Sequence, residues 1–112
     1  MKKFVLLYNG PATRMSGMTD EQRQATKANW QSWIHKVGTA LIDIGAPLAN
    51  GHAVTDDGGA GHASDLRGYS VIEAEDMEAA LKLVEGHDFL SAHTGEFKIE
   101  VFELMPSPLQ KV

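Results

Sequence analysis

Five consecutive residues, Phe4-Val5-Leu6-Leu7-Tyr8, constrain this chain more than any other segment. Asn9-Gly10-Pro11 closes the run at once, leaving it too short for a helix and the right length for a strand. In an extended conformation it puts apolar side chains on both faces, so it belongs in the middle of a sheet with something covering each side. The segment Phe97 to Met105 repeats the problem. It alternates apolar and charged residues through Lys98 and Glu100, then loses the alternation at Val101-Phe102. A bulge or a second buried face would account for that.

Between these two strands the pattern changes period twice. Thr19 opens a helix, with Gln22 placed as the reciprocal half of a capping box and Asp20-Glu21 favourable to the helix dipole. Trp30, Trp33, Ile34, Val37, Leu41 and Ile44 follow at helical spacing, and Gly45 and Pro47 are stop signals. The periodicity predicts a helix over Asp20 to Ile44. Pro47 to Thr55 is then expected as a second strand, and Asp56 to Ser64, which contains Gly58, Gly59 and Gly61, as a flexible loop. Gly68 to Glu73 is expected as a third strand. Asp76 caps a shorter helix whose stripe is Met77, Ala80, Leu81 and Val84, ended by Gly86. Pro106 and Pro108 end regular structure, leaving residues 106–112 as a tail of one domain spanning 1–112.

The order β-α-β-β-α-β is the split βαβ arrangement. It predicts an α+β, ferredoxin-like fold: a four-stranded antiparallel sheet with both helices on one face. The other face is apolar at the first strand and at the end of the last. A second subunit packed sheet to sheet, about 10 Å away, is the simplest cover, giving a homodimer. The predicted first helix would span about 37 Å against about 23 Å for a seven-residue strand, so it is expected to overhang its sheet.

Composition excludes several functional classes. The chain has no cysteine, which removes disulfides, thiolate metal sites and a cysteine nucleophile. Its net charge of −5, from 10 basic and 15 acidic residues, disfavours nucleic-acid binding. No apolar run is long enough to span a membrane, and a cytoplasmic location is expected. No serine lies in a nucleophile elbow, and the glycine-rich loop is no phosphate cradle.

Four segments together resemble the YCII-related proteins. They are Phe4 to Gly10; Trp30 and Trp33 followed by Gly45-Ala46-Pro47-Leu48; Gly68 to Ala74 before Met77-Glu78-Ala79-Ala80-Leu81; and Ile99 to Pro106. The resemblance covers nearly the whole chain and implies a ferredoxin-like subunit of a dimeric α/β barrel. It also implies comparison with a His–Asp pair in some members, the His on the first helix and the Asp after the second. Here Ile34 stands near the first position, and Gly86-His87-Asp88-Phe89 follows the second helix, with His87 at the acidic position.

The candidate site residues carry two readings each. His87, Asp88 and His52 are the candidate acid–base groups, since histidine titrates near neutral pH and a base must reach its proton. Their plain structural reading is a helix-end histidine, a turn aspartate and a surface histidine. Trp30 and Trp33 either pack the core or wall a pocket between the first helix and the sheet. Arg23 lies about 20° from the stripe centre, where a charge means an overhanging helix or an anion partner. Tyr8 and Arg14 flank the turn after the first strand and could hold a carboxylate or phenolate, or simply finish the loop. No metal site and no cofactor are expected. The leading reading is a small homodimer that binds a small metabolite between sheet and helices. The alternative is a cofactor-free lyase or isomerase using His87 or His52 as acid–base group.

Overall fold

In the computed structural model of the protein, which describes residues 1–11, 19–91 and 93–106, the first apolar run is central. Strand β1 (Lys2–Asn9) is bonded on one side to β5 (Leu66–Ala74) and on the other to β6 (Lys98–Glu103). A short edge strand, β2 (Leu41–Asp43), completes the sheet in the order β2-β5-β1-β6, all pairs antiparallel. Two helices, α1 (Asp20–Val37) and α2 (Met77–Val84), complete the α+β arrangement expected from the sequence.

The pleat sorts side chains cleanly. Phe4, Leu6 and Tyr8 of β1, with Ser70, Ile72 and Ala74 of β5, are buried against α1 and α2. Trp33 and Val37 of α1 and Ala80 and Val84 of α2 close that core. On the opposite face, Phe102, Val5 and Val71 lie in register across three neighbouring strands, with Leu7 and Tyr69 beside them. Both predicted faces of β1 are therefore apolar, and β6 carries Val101 inward and Phe102 outward with an unbroken register. Phe102 is half exposed.

The first helix is shorter than its periodicity predicts. The capping box forms as expected, Gln22 N–H donating to Thr19 Oγ1 at 3.1 Å and Thr19 N–H to Gln22 Oε1 at 2.9 Å. The helix ends at Val37, not Ile44, because Gly38 takes φ +60° and leads into a 3-10 turn, Gly38–Ala40. Leu41 then pairs with Ile72 as the sheet's edge, and Ile44 is exposed. A helix of 18 residues spans about 27 Å, close to an eight-residue strand at about 26 Å, so the length argument for an overhang falls away. The inward face is Thr26, Trp30, Trp33 and Val37, while the first turn remains exposed.

The second strand also moves. Pro47 makes one isolated bridge to Gly68, and Ala53–Val54 (β3) pairs with Ala60–Gly61 (β4) as a separate hairpin. The glycine-rich segment is that hairpin's tip, where Asp57 Oδ1 accepts from Gly59 N–H and from the Thr55 hydroxyl. On α2, Ala80 and Val84 are buried but Met77 and Leu81 are exposed, so the inward stripe is narrower than predicted.

Gly45 makes the turn out of the edge strand. It sits at φ +77°, and its N–H donates to Asp43 Oδ1 at 2.8 Å. A Cβ here would lie 1.8 Å from the Tyr69 carbonyl oxygen, which is backbone of the neighbouring strand and cannot step aside. Gly45→Ala is expected to cost about 1–3 kcal/mol from the dihedral, with the steric contact added to it. A urea titration checks this, and an unchanged midpoint would contradict it. Gly38→Ala, with open space around its Cβ, should show the dihedral cost alone.

Candidate functional site

Tyr8, at the end of β1, and Trp30 and Trp33, on the inward face of α1, meet the segment that leaves α2. Gly86 takes φ +77° there, and His87 follows as the cap of a 3-10 turn, Asp88–Leu90. His87 packs against Trp33 at 4.4 Å between ring centroids, Trp30 at 4.5 Å and Tyr8 at 5.3 Å. Phe89 touches Tyr8 on one side and Phe97 on the other. These rings form one continuous aromatic cluster between the helix and the sheet.

His87 is only 2% exposed. Burial disfavours the charged form and lowers its pKa from 6.5 to about 4. The imidazole is therefore neutral at physiological pH, not a cation stabilised by the end of α2. Its Nδ1 accepts from Phe89 N–H at 3.0 Å, so its proton is on Nε2. That Nε2–H is buried with no hydrogen-bond partner among the described residues, an omission that costs about 1–3 kcal/mol.

The polar ends of the surrounding rings are committed elsewhere. Trp33 Nε1–H donates to the Leu83 carbonyl at 2.8 Å. Ser70 Oγ donates its one proton to the Ile44 carbonyl at 2.7 Å, which leaves the Tyr8 hydroxyl as donor to Ser70 Oγ at 2.8 Å. Burial raises the Tyr8 pKa, only partly offset by the Ser70 contact, so the phenol stays protonated.

A cleft of about 410 Å³ opens beside the cluster. Trp33 and Gly86 line it together with Asn29, Ser32, Lys36 and Asp88. Its volume falls within the range of small-molecule sites. Asn29 Nδ2–H donates to Asp88 Oδ1 at 2.9 Å, joining α1 to the segment after α2 across the cleft. A second hollow, about 530 Å³, lies along the outer side of α1 at Ala28, Gln31, Ser32, Ile34 and His35, away from the ring cluster.

The structure thus brings together five of the eight sequence candidates: Tyr8, Trp30, Trp33, His87 and Asp88. His52 is exposed in the segment before β3, apart from them. Arg23 is exposed on the first turn of α1 and pairs with Asp20 at 2.9 Å. Arg14 lies outside the described residues. Of the five histidines only His87 is buried, and among the described residues no group of three or more His, Asp or Glu side chains is placed to hold a metal.

Five contributors were missed in the sequence. Phe89 and Phe97 extend the ring cluster, and Asn29, Ser32 and Lys36 supply the polar wall of the cleft. Their spacing to one another (i, i+3 and i+7) is a helical-face signal that could have found the last group. Nothing local marks Ser70 as the partner of Tyr8, 62 residues away.

No protein-family model matches the chain, and no curated protein sequence does. Among solved structures it is similar to 5-chloro-2-hydroxyhydroquinone dehydrochlorinase (TftG) from Burkholderia phenoliruptrix AC1100, in complex with 2,5-dihydroxybenzoquinone. The identity is 20%, the TM-score 0.54, and the match covers 94% of this chain and 95% of the other. At that identity the likeness establishes the fold, which is the type found in dimeric α/β barrels. Among the described residues no helix is long and apolar enough to cross a membrane.

Proposed function

We propose that this protein is a homodimeric, YCII-related α/β barrel that binds a small ring-shaped metabolite in the cleft beside Trp33. The convergence of Tyr8, Trp30, Trp33, His87 and Phe89 next to an open cleft carries this reading. Of these rings Trp33 itself lines the cleft, beside the polar side chains of Asn29, Ser32, Lys36 and Asp88, and an aromatic surface with a few fixed polar groups suits a planar ligand. The fold it shares with TftG, whose structure holds a six-membered dihydroxyquinone, supports the same ligand shape.

Binding is favoured over acid–base catalysis. His87 is held neutral with its one basic nitrogen occupied by Phe89 N–H, and Asp88 is paired with Asn29. His52 is remote from the cluster. The dimer is supported by the outer sheet face, where among the described residues Phe102 is half exposed and Val5 and Val71 beside it are only partly buried.

Both tryptophans of the chain lie in the cluster, so intrinsic fluorescence reports on this site alone. Titration with 2,5-dihydroxybenzoquinone is expected to give saturable quenching, weakened by Lys36→Ala. Absence of saturable quenching would reject the binding reading. Sedimentation at micromolar concentration should show a dimer that Phe102→Glu converts to monomer, and a native particle of 12.2 kDa would reject the assembly.

A further inference from the structure

The ring cluster contains one group that its packing does not explain. His87 Nε2–H is fully enclosed and has no hydrogen-bond partner among the described residues. Trp33 and Tyr8 direct their polar atoms away, to the Leu83 carbonyl and to Ser70. The proton cannot shift to the other nitrogen either, because Nδ1 is taken by Phe89 N–H. The side chain is thus a fixed donor, set in an apolar ring lining and aimed at nothing within the described chain.

The enclosure is not equally firm on all sides. Trp33 is 3% exposed and tied by its indole N–H to the end of α2. Tyr8 is buried and tied through Ser70 to the segment after β2. Trp30 is half-buried and meets His87 edge to face, with an 89° angle between the rings. Of the three rings Trp30 is the least buried, so its rotation would open the donor to a molecule arriving beside Trp33.

We propose that His87 Nε2–H is the hydrogen-bond donor to an oxygen carried on the ligand's ring, with Trp30 as the wall that turns aside to admit it. The site then selects oxygenated aromatic molecules, phenols and quinones, over hydrocarbon rings of the same shape. This rests on the binding reading above and sharpens it: the rings supply affinity for a flat molecule, and the single buried donor supplies the choice. A ligand without an acceptor leaves Nε2–H as unsatisfied as it is in the free protein. A ligand with one satisfies it in a site that water does not reach.

A matched pair of probes tests this. 4-Methylphenol and p-xylene have nearly the same shape and differ in one oxygen. The native protein is expected to bind 4-methylphenol about tenfold more tightly, the discrimination that one neutral hydrogen bond gives. His87→Phe should bring the two affinities together, while His87→Gln, which can place an N–H near the same point, should keep part of the preference. The Nε2–H proton resonance of the native protein gives a readout free of any mutation. It should move downfield with 4-methylphenol and not with p-xylene. Equal binding of both probes by the native protein, or a resonance that ignores 4-methylphenol, would overturn the donor role while leaving the binding reading intact. Failure of both probes to bind would reject both.

Discussion

Acidification from pH 7 to pH 4 is expected to remove about 3 kcal/mol of stability through His87 alone. The imidazole titrates near 6.5 in an unfolded chain and near 4 in the folded one, because its charged form would be stripped of water among aromatic rings. Above pH 6.5 it is neutral in both states and contributes no pH dependence. Below 6.5 the unfolded chain takes up a proton that the folded chain refuses, so stability falls as the pH drops, and it levels off below about 4. Each pH unit between the two titrations is worth about 1.4 kcal/mol, and the gap from 6.5 to about 4 therefore amounts to about 3 kcal/mol. Carboxylates titrate over part of the same range, so the informative quantity is the difference between the parent and His87→Gln. Urea unfolding at half-unit steps from pH 7.5 to 3.5 should give curves that converge towards acid as the parent loses its extra slope. Parallel curves would show that His87 titrates normally in the folded state.

Phe4→Ala is expected to cost about 3–5 kcal/mol, the range for emptying a phenylalanine site in a packed core. Phe4 is fully buried on the central strand, with Ile72 across from it on β5 and Glu103 on β6. The rigid ladders on both sides limit how far the sheet can collapse into the space. Since a domain of this size is typically stable by about 5–15 kcal/mol, the variant should be close to unfolding at room temperature. Leu81→Ala, at a half-exposed site on α2, serves as the comparison and should cost less than about 1 kcal/mol. A midpoint for Phe4→Ala no lower than that of Leu81→Ala would contradict the placement of the core.

The two predictions differ in how far the sequence anticipates them. Phe4 follows from local pattern, since an apolar run too short for a helix has to be a strand with two covered faces. His87 does not. It is one of five histidines, and nothing in Gly86-His87-Asp88-Phe89 distinguishes a helix-end side chain in water from one turned inward. The direction is set by the left-handed turn at Gly86 and by space left between Trp30, Trp33 and Tyr8. The boundary of α1 fails for a related reason. Leu41 and Ile44 continue the helical period, but Leu41 is apolar because it faces the core from the sheet's edge opposite Ile72. Periodicity records which side chains are inward and not which element carries them inward.

Taken alone, the sequence determined the two helices and their capping, the first, third and last predicted strands, the antiparallel α+β class and the apolar character of both faces of β1, since each depends on residues within a few positions of one another. Only the tertiary structure decided which strand forms the edge, that Tyr8 finds Ser70, and that one histidine among five sits buried with a free donor. Those outcomes depend on which distant segments share a volume, and burial and pKa are properties of that shared volume.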